Sequence, residues 1–509
     1  MLRITPQQPH PLFTAAATRR MEQRAIAALP PHTLMQRAGL SVAQLAQALA
    51  PHARTVWVAC GPGNNGGDGL EAASHLRRQG RQVVVTWLGH PDKAPADAKA
   101  AWQRAQAAGV QWTDAGAPLA LHMAASDLCI DALLGIGLSP SQNAIRRMPD
   151  EALRTCLHAL QHSPAPVLAV DLPSGLDADT GQFAAGFAPE SSCTTHPTGA
   201  ARHTLSLLSL KPGLFTAAGR DAAGQVWWDD LGVAPHEPPS AWLCGHPPAR
   251  PRAHASHKGS YGDVAVVGGE GLGERGMGMT GAALLAASAA LHGGAGRVLV
   301  ALLDNGQQPC DAQQPELMFR HFKALDLAQL TVVCGCGGGQ AVGRVLDQVI
   351  AQAPRLVLDA DALNAIAAHA PWQALVAARS PQGQTTVLTP HPLEAARLLG
   401  CSTADVQADR LGAAQQLAAR MQCVVVLKGS GSVITAPDQT PAINPTGNAR
   451  LATAGTGDVL AGMVGARLAA GASALQAARE AVYAHGDAAD RWPEGQTLTA
   501  SALARGCGH

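Results

Sequence analysis

Two separate sets of residues in this chain have types and spacing suited to chemistry. The first follows the apolar run TVWVAC (55–60) as Gly61-Pro62-Gly63-Asn64-Asn65-Gly66-Gly67-Asp68-Gly69, a G-x-G-x-x-G spacing between a strand pattern and a helix pattern. Amides at a helix start suit a phosphate, and the two asparagines add neutral donors and acceptors. Alone, the spacing also describes an ordinary tight turn. A hydride-transferring dinucleotide domain would place an acid about 20 residues on, at the end of the next strand. Here that strand ends Thr86-Trp87-Leu88-Gly89, without one. Two further strand ends carry oxygen ligands, Asp131 ahead of Leu134-Gly135-Ile136-Gly137-Leu138, and Asp171-Leu172-Pro173-Ser174-Gly175. Strand ends of one parallel sheet converge on one edge, so Asn65, Asp131 and Ser174 can meet around one ion. Their amide, carboxylate and hydroxyl oxygens suit a hard cation such as potassium better than zinc or copper.

The second set lies nearer the carboxyl terminus. No G-x-x-x-x-G-K-[ST] occurs, which excludes a P-loop as nucleotide cradle. Instead Thr453-Ala454-Gly455-Thr456-Gly457-Asp458 leads into an apolar helical pattern. Amides from Ala454 to Gly457 would form an anion hole for phosphate, and Asp458 can accept a proton from a substrate hydroxyl. Alone, Asp458 would be a carboxylate stabilising its own helix. Its company is Thr389-Pro390-His391-Pro392-Leu393-Glu394 and Leu427-Lys428-Gly429-Ser430-Gly431-Ser432. A cation beside glycines is what a diphosphate attracts, so Lys428 is the stronger candidate of the two segments.

The elements that must position these residues read as two α/β blocks. In the first, the runs 55–60, 82–88, 127–134 and 166–172 read as buried strands, with helical patterns at Leu70–Gln79 and Ala96–Ala108. In the second, strands are expected at 263–269, 297–303, 331–337, 355–361, 385–390 and 423–429, with helices at Thr280–Leu291, Leu393–Leu399, Leu411–Met421 and Gly457–Ala469. Alternation of this kind implies parallel β-α-β units, with ligands beyond the carboxyl ends of the strands. Between the blocks, Pro238, Pro239, Pro247, Pro248 and Pro251 disfavour both helix and strand. The expected division is a first domain over 1–235, a linker over 236–251 and a second domain over 252–509. The glycine-rich segments of the two blocks share no spacing, so the domains are unrelated.

At 509 residues the chain is too long for one small fold. Lys+Arg and Asp+Glu both number 37, so the net charge gives no reason to expect nucleic acid. Aromatics at 3% argue against base-stacking platforms. Eleven cysteines without a C-x-x-C pair suit a reducing cytoplasm, and no apolar stretch reaches the roughly 18 residues of a membrane span. The reading is a cytoplasmic protein acting on small molecules.

GPGNNGGDG, DALLGIGL and VDLPSGLDADTG together resemble the NAD(P)HX epimerase domain, over most of residues 10–235. The resemblance implies a Rossmann-like three-layer domain in which Asn64, Asn65, Gly66, Gly67 and Asp68 bind the hydrated nicotinamide dinucleotide. It implies ligand contacts from Gly135, Ile136, Gly137, Leu138, Ser139, Pro140 and Ser141, potassium held by Asn65, Asp131 and Ser174, and Asp171 as acid or base at C6 of the hydrated ring. At Ser191–Arg202 the family's usual apolar strand is replaced by SSCTTHPTGAAR.

With His257-Lys258-Gly259, Gly281-Ala282 and Asp359-Ala360-Asp361-Ala362-Leu363-Asn364, the second block resembles the ADP-dependent (S)-NAD(P)HX dehydratases, of ribokinase-like α/β fold, over about residues 252–495. The implied chemistry is phosphorylation of the hydrate's hydroxyl by ADP and loss of phosphate, giving NADH or NADPH and AMP. Lys428, Gly429, Ser430, Gly431, Ser432 and Gly457 would hold the adenine nucleotide. Ala282, Gly339, His391 and Asp458 would face the hydrate, Asp458 as base, with Mg2+ on the phosphates near Glu394. Two departures stand out: the family's G-P-G-x-G reads Gly335-Cys336-Gly337-Gly338-Gly339, and its H-P-G-E reads His391-Pro392-Leu393-Glu394. The whole resembles a bifunctional repair enzyme for hydrated NADH and NADPH, with a homo-oligomer of four copies or more expected. The alternative is a ribokinase-like small-molecule kinase with an amino-terminal ligand-binding module.

Overall fold

A computed structural model of the chain describes residues 1–114, 123–137, 149–189, 199–248 and 252–506. Two compact units separate: Met1–Thr5 with Pro11–Ser240, and Pro6–His10 with Ala241–His509. Both are α/β, as expected. Among the described residues no helix is long and apolar enough to cross a membrane.

The first unit holds a sheet in the order Leu2–Arg3, Gln225–Asp229, Arg202–Leu207, Val167–Val170, Leu128–Ala132, Thr55–Cys60, Gln82–Trp87, Gln111–Thr113. Only the Leu2–Arg3 pairing is antiparallel. Helices cover both faces, which is why the strands are continuous apolar runs. Val58, Val85, Ile130 and Leu168 pack beneath Val42, Leu45, Leu70 and Ala73 of helices Thr33–Leu49 and Asn64–Arg78. Trp57, Ala59, Cys129 and Val167 pack on the other face against Leu157 and Leu160 of helix Glu151–His162. The helix expected at Leu70 begins six residues earlier, so the Asn-Asn-Gly-Gly-Asp run is its first turn and a half.

In the second unit the sheet runs Met318–Phe319, Arg297–Leu303, Asp263–Glu270, Thr331–Cys334, Arg355–Leu358, Thr385–Leu388, Val424–Leu427, Val433–Thr435, Ala442–Ile443, Ala241–Leu243. It is parallel up to Val424–Leu427, and Val433–Thr435 is antiparallel to both neighbours. Helices Thr280–His292 and Thr456–Ala469 lie against one face, where a Cβ on Gly462 would stand 2.0 Å from Ala286 O. Glycine there lets the helix carrying Asp458 approach that closely. Ala241–Leu243 falls inside the stretch read as a linker without strand. Its apolar ends, Ala241 and Leu243, are buried, Trp242 and Leu243 pair with Ala442 and Ile443, and the prolines only flank it.

Candidate functional site

In the first unit, strand Thr55–Cys60 runs directly into the glycine turn, and helix Asn64–Arg78 starts with Gly63 as N-cap. A Cβ on Gly61 would lie 1.8 Å from Leu133 O, and one on Gly66 1.9 Å from Gly61 O, so the turn closes only with glycine at both. The first helical hydrogen bond runs from Gly67 N to Gly63 O, which leaves the amides of Asn64, Asn65 and Gly66 ahead of the ladder. Trp87 donates its indole N–H to Gly61 O at 3.0 Å. Its ring braces the turn at the strand end where a dehydrogenase would present an acid.

A cleft of about 530 Å³ opens beside this turn, lined among others by Asn64, Asn65, Asp68, Gly135, Ile136, Gly137 and Asp171. Gly66 and Gly67 are buried and do not line it, Gly67 lying against Met35 and Ala98. Leu138, Ser139, Pro140 and Ser141 lie outside the described residues. Arg19 reaches over to donate to Ile136 O at 2.6 Å, and Glu22 stands on the same helix, Ala15–Ala28, facing the cleft. Burial, then the carboxylates of Asp171 and Glu22, push the Asp68 carboxyl well above its ordinary range. Burial and Asp171 also push Glu22 up.

Asp171 directly follows strand Val167–Val170 and adopts φ +67°, a left-handed conformation rare outside glycine. The strain is held by Asp171 N donating to Leu205 O at 2.8 Å and Leu207 N donating to Oδ1 at 3.1 Å. Lys211, with no exposed side-chain surface, is ion-paired to the same oxygen and donates to Leu207 O at 2.8 Å. Nothing in the local pattern pointed to Lys211, 40 residues downstream.

Asp131 and Ser174 meet directly: the Ser174 hydroxyl donates to Asp131 Oδ1 at 2.6 Å and its amide to Oδ2 at 2.9 Å. Leu134 N donates to Ser174 Oγ, and a Cβ on the neighbouring Gly135 would stand 3.1 Å from Asn65 Oδ1. Asn65 Nδ2 is buried with no hydrogen-bond partner among the described residues. A half-turn of the amide exchanges its oxygen and nitrogen, so the buried position can offer oxygen to a cation. Burial pushes Asp131 upward against the hydrogen bonds it accepts. A carboxylate, a hydroxyl and a spare amide, all hard donors, fit an alkali cation.

In the second unit, helix Thr456–Ala469 starts after Gly455 at φ +90°. Its first helical hydrogen bond is Val459 N to Gly455 O, so the amides of Thr456, Gly457 and Asp458 precede the ladder. A Cβ on Gly457 would lie 3.3 Å from Lys428 Nζ, which sets the ammonium at the positive end of this helix. Lys428 donates to Asp359 Oδ1 at 2.7 Å, and Thr389 Oγ1 donates to the same oxygen at 2.8 Å. Cys336 Sγ and carboxylate oxygens of Asp359 and Asp458 all lie within 4.8 Å of one another. Burial, then the Asp359 charge, push Asp458 up to about 7, while the Cys336 hydrogen bond and Lys428 pull the other way. The buried His485 donates from Nε2 to Thr456 O at 2.9 Å, and burial lowers it to about 4, so it pins the start of the Asp458 helix as a neutral ring.

His391 is the N-cap of helix Pro392–Leu399: its Nδ1 accepts from Leu393 N and Glu394 N, and Glu394 returns Oε2 to His391 N at 2.8 Å. Glu394 is buried, and that burial pushes it up to about 7; a cation beside it would relieve the cost. Leu393 turns outward at 44% exposure. Gly339 donates to Asp361 Oδ2 at 2.8 Å beneath the Glu270–Arg275 ion pair, and Ala282 packs at Gly337. Gly429, Ser430, Gly431 and Ser432 continue the turn after Val424–Leu427, held by the buried Arg410, which donates to Lys428 O at 3.2 Å. His257-Lys258-Gly259 stands apart, ahead of the amino end of strand Asp263–Glu270.

These features define an α/β protein with a carboxyl-lined cleft beside a glycine turn in one unit and, in the other, a helix start at which Lys428, the Gly457 amide and Asp458 come together. A family model described as YjeF-related protein N-terminus matches residues 31–213, and one described as NAD(P)H-hydrate dehydratase, of carbohydrate-kinase type, matches 264–506. The chain is 35% identical over 508 residues to the bifunctional NAD(P)H-hydrate repair enzyme of Escherichia coli (strain K12), covering 95% of this chain and 90% of that one. It is 33% identical over 500 residues to the corresponding enzyme of Coxiella burnetii, covering 95% of each. A solved ADP/ATP-dependent NAD(P)H-hydrate dehydratase from Bacillus subtilis, co-crystallised with ATP/Mg2+, is 31% identical at a TM-score of 0.43, covering 50% of this chain and 91% of that one. The chain belongs to the bifunctional NAD(P)H-hydrate repair enzyme family.

Proposed function

We propose that the chain repairs hydrated NADH and NADPH with one activity per unit: the first interconverts the R and S hydrates, and the second dehydrates the S form with ADP. The observation that carries the reading is the meeting of Lys428, the Gly457 amide and Asp458 at one helix start. Phosphoryl transfer needs positioned phosphate, neutralised charge and a base near the nucleophile. Lys428 and the amides ahead of the ladder bind phosphate, and Asp458 takes the proton of the C6 hydroxyl as its oxygen attacks the β-phosphorus. Hydroxide is a poor leaving group; phosphate then departs readily with the C6–O bonding pair while C5 loses a proton to water, which restores the C5–C6 double bond of NADH or NADPH and leaves AMP and inorganic phosphate. Glu394 would hold magnesium, which supplies charge neutralisation on the phosphates when bound.

In the first unit the amides of Asn64 to Gly66 receive a phosphate of the dinucleotide, Asp171 handles a proton at C6, and Asn65, Asp131 and Ser174 hold potassium, which orders the loop after Asp131. A homo-oligomer of four copies or more in the cytoplasm completes the reading. The test is recovery of reduced-nicotinamide absorbance from a mixture of R and S hydrates with the full chain, magnesium, potassium and ADP, with ATP in parallel. Complete recovery with phosphate release is expected. Recovery that stops at the S fraction sinks the epimerase half, and a stable phosphorylated product in place of free phosphate sinks the dehydratase half.

A further inference from the structure

The first cleft holds more carboxyls than one proton transfer requires. Asp68, Asp171 and Glu22 all line it, and their mutual influence appears in the upward push on Asp68 and Glu22. The sheet order sets two of them apart. Asp171 directly follows Val167–Val170, and Asp68 lies in the helix Asn64–Arg78 that comes after Thr55–Cys60, with Leu128–Ala132 as the single strand between those two strands. Strands stand about 4.8 Å apart, so these two strand ends are separated by about 10 Å. The loop Leu133–Gly137, which also lines the cleft, leaves the middle strand between them. A six-membered ring seated over that middle strand would lie between the elements that carry the two carboxyls.

We propose that Asp68 and Asp171 form a two-carboxyl pair that inverts C6 of the hydrated ring by removing water from one face and returning it to the other. The proposal rests on the epimerase reading of the first unit. In one direction the C6–O bond breaks with its electron pair staying on oxygen, Asp68 supplies the proton, and water leaves. The lone pair of N1 stabilises the resulting C6 cation. Water then adds to the opposite face and gives its extra proton to Asp171. The opposite hydrate runs the same steps in reverse, with Asp171 as acid and Asp68 as base; in net flux one way, Asp171 releases its proton to water and Asp68 takes one from water before the next turnover. No oxidant or further reactant enters.

The two carboxyls are held differently, as the asymmetry requires. Asp171 is ion-paired to the buried Lys211 and accepts from the amide of Leu207. Asp68 faces the carboxylates of Asp171 and Glu22 and has the second turn of an Ala- and Gly-rich helix around it, which favour its protonated form. An acid and a base on two sides of a substrate also recur where water must attack the face opposite a departing group.

The experiment uses the full chain without ADP, which keeps the second site silent, and starts from a purified single hydrate in water enriched in oxygen-18. The hydrates are separated by chromatography and weighed by mass spectrometry. Expected is uptake of one labelled oxygen at C6 for each inversion. Asp68→Asn should lower kcat by about a hundredfold or more with KM little changed, and Asp68→Glu should restore part of the rate. Inversion with the original oxygen retained overturns the proposal, because ring opening at N1 would then be the route. Asp68→Asn at the wild-type kcat, with only KM altered, also overturns it and leaves Asp68 a binding residue. Unfolding of Asp68→Asn is read by its melting curve, and the oxygen-18 result on the unmodified chain decides in that case. A wild-type chain that leaves a single hydrate uninverted overturns the epimerase reading itself and the proposal with it.

Discussion

Lys428 Nζ stands 2.7 Å from Asp359 Oδ1, and the Asp359 side chain that holds it is 1% exposed. The ion pair aims the ammonium at the start of the Asp458 helix, so the two residues act as one device. Removing the ammonium and removing its holder should therefore differ. Lys428→Met is expected to lower kcat/KM for ADP by about a hundredfold, the usual cost of losing one preorganised charge at a phosphate, with the fold retained. Asp359→Asn leaves a mostly buried ammonium without its counter-charge and should destabilise the second unit by about 3 kcal/mol. Lys428→Met in turn strands the Asp359 carboxylate, so urea melts should show both variants losing stability, and wild-type stability of both would show that the pair holds nothing.

Asp458 at about 7, against an ordinary value of 3.8, gives a rate and a stability that move in opposite directions with pH. The base must be ionised to work, so the dehydration rate should rise as pH passes upward through about 7. For stability, a carboxyl whose folded value lies above its unfolded one binds its proton more tightly in the folded state. Its contribution is fully present below about 4 and is lost as pH climbs towards 7. Glu394, also near 7, adds in the same sense. Asp458→Asn should abolish dehydration, leave ADP binding measurable by calorimetry, and melt higher than the wild type at pH 8. A variant that melts lower there would contradict the burial argument.

Cys336 stands where the family's proline is expected, and its thiol hydrogen-bonds Asp458, an interaction that holds the carboxyl lower than burial alone would. Removing the thiol with Cys336→Ala should shift the rising limb of the pH–rate profile to higher pH, and Cys336→Ser should move it back. Cys336→Pro tests whether the family residue works without the hydrogen bond. An unchanged profile in all three variants would make the thiol a packing residue only.

Legibility differs by the range of the interaction. Strand ends, the glycine turn and the Asp458 helix were readable because each depends on a local pattern of apolar and small residues. Lys211 was not, because a lysine enters a core only for a specific counter-charge, and Asp171 lies 40 residues away. Trp87 looked like the absence of an acid; its bond to Gly61 O makes it the brace of the turn. Asp359 was visible in the Asp359-Ala360-Asp361 run, but its role depends on Lys428, 69 residues downstream. Ala241–Leu243 was hidden by flanking prolines, since a three-residue strand carries little periodicity of its own.

Asn65 Nδ2, without a hydrogen-bond partner among the described residues, separates an alkali-cation site from a packing defect. If Asn65, Asp131 and Ser174 hold potassium, the ion binds the folded chain alone and raises its stability by RT ln(1 + [K+]/Kd), about 2.7 kcal/mol at a hundred times Kd. Melting of the full chain should then be higher in potassium chloride than in lithium chloride at equal ionic strength, by a few degrees. Asp131→Asn removes the charge of the set and should abolish the difference. Asn65→Leu is the sharper variant. An amide that serves a cation is missed when it is gone, so the variant melts lower in potassium and loses its preference over lithium. An amide that is merely stranded costs the fold its desolvation, about 1–3 kcal/mol, and the same variant would then melt higher in both salts. The second result would leave Asp131 and Ser174 as a hydrogen-bonded pair that shapes the loop after Leu134 without any ion.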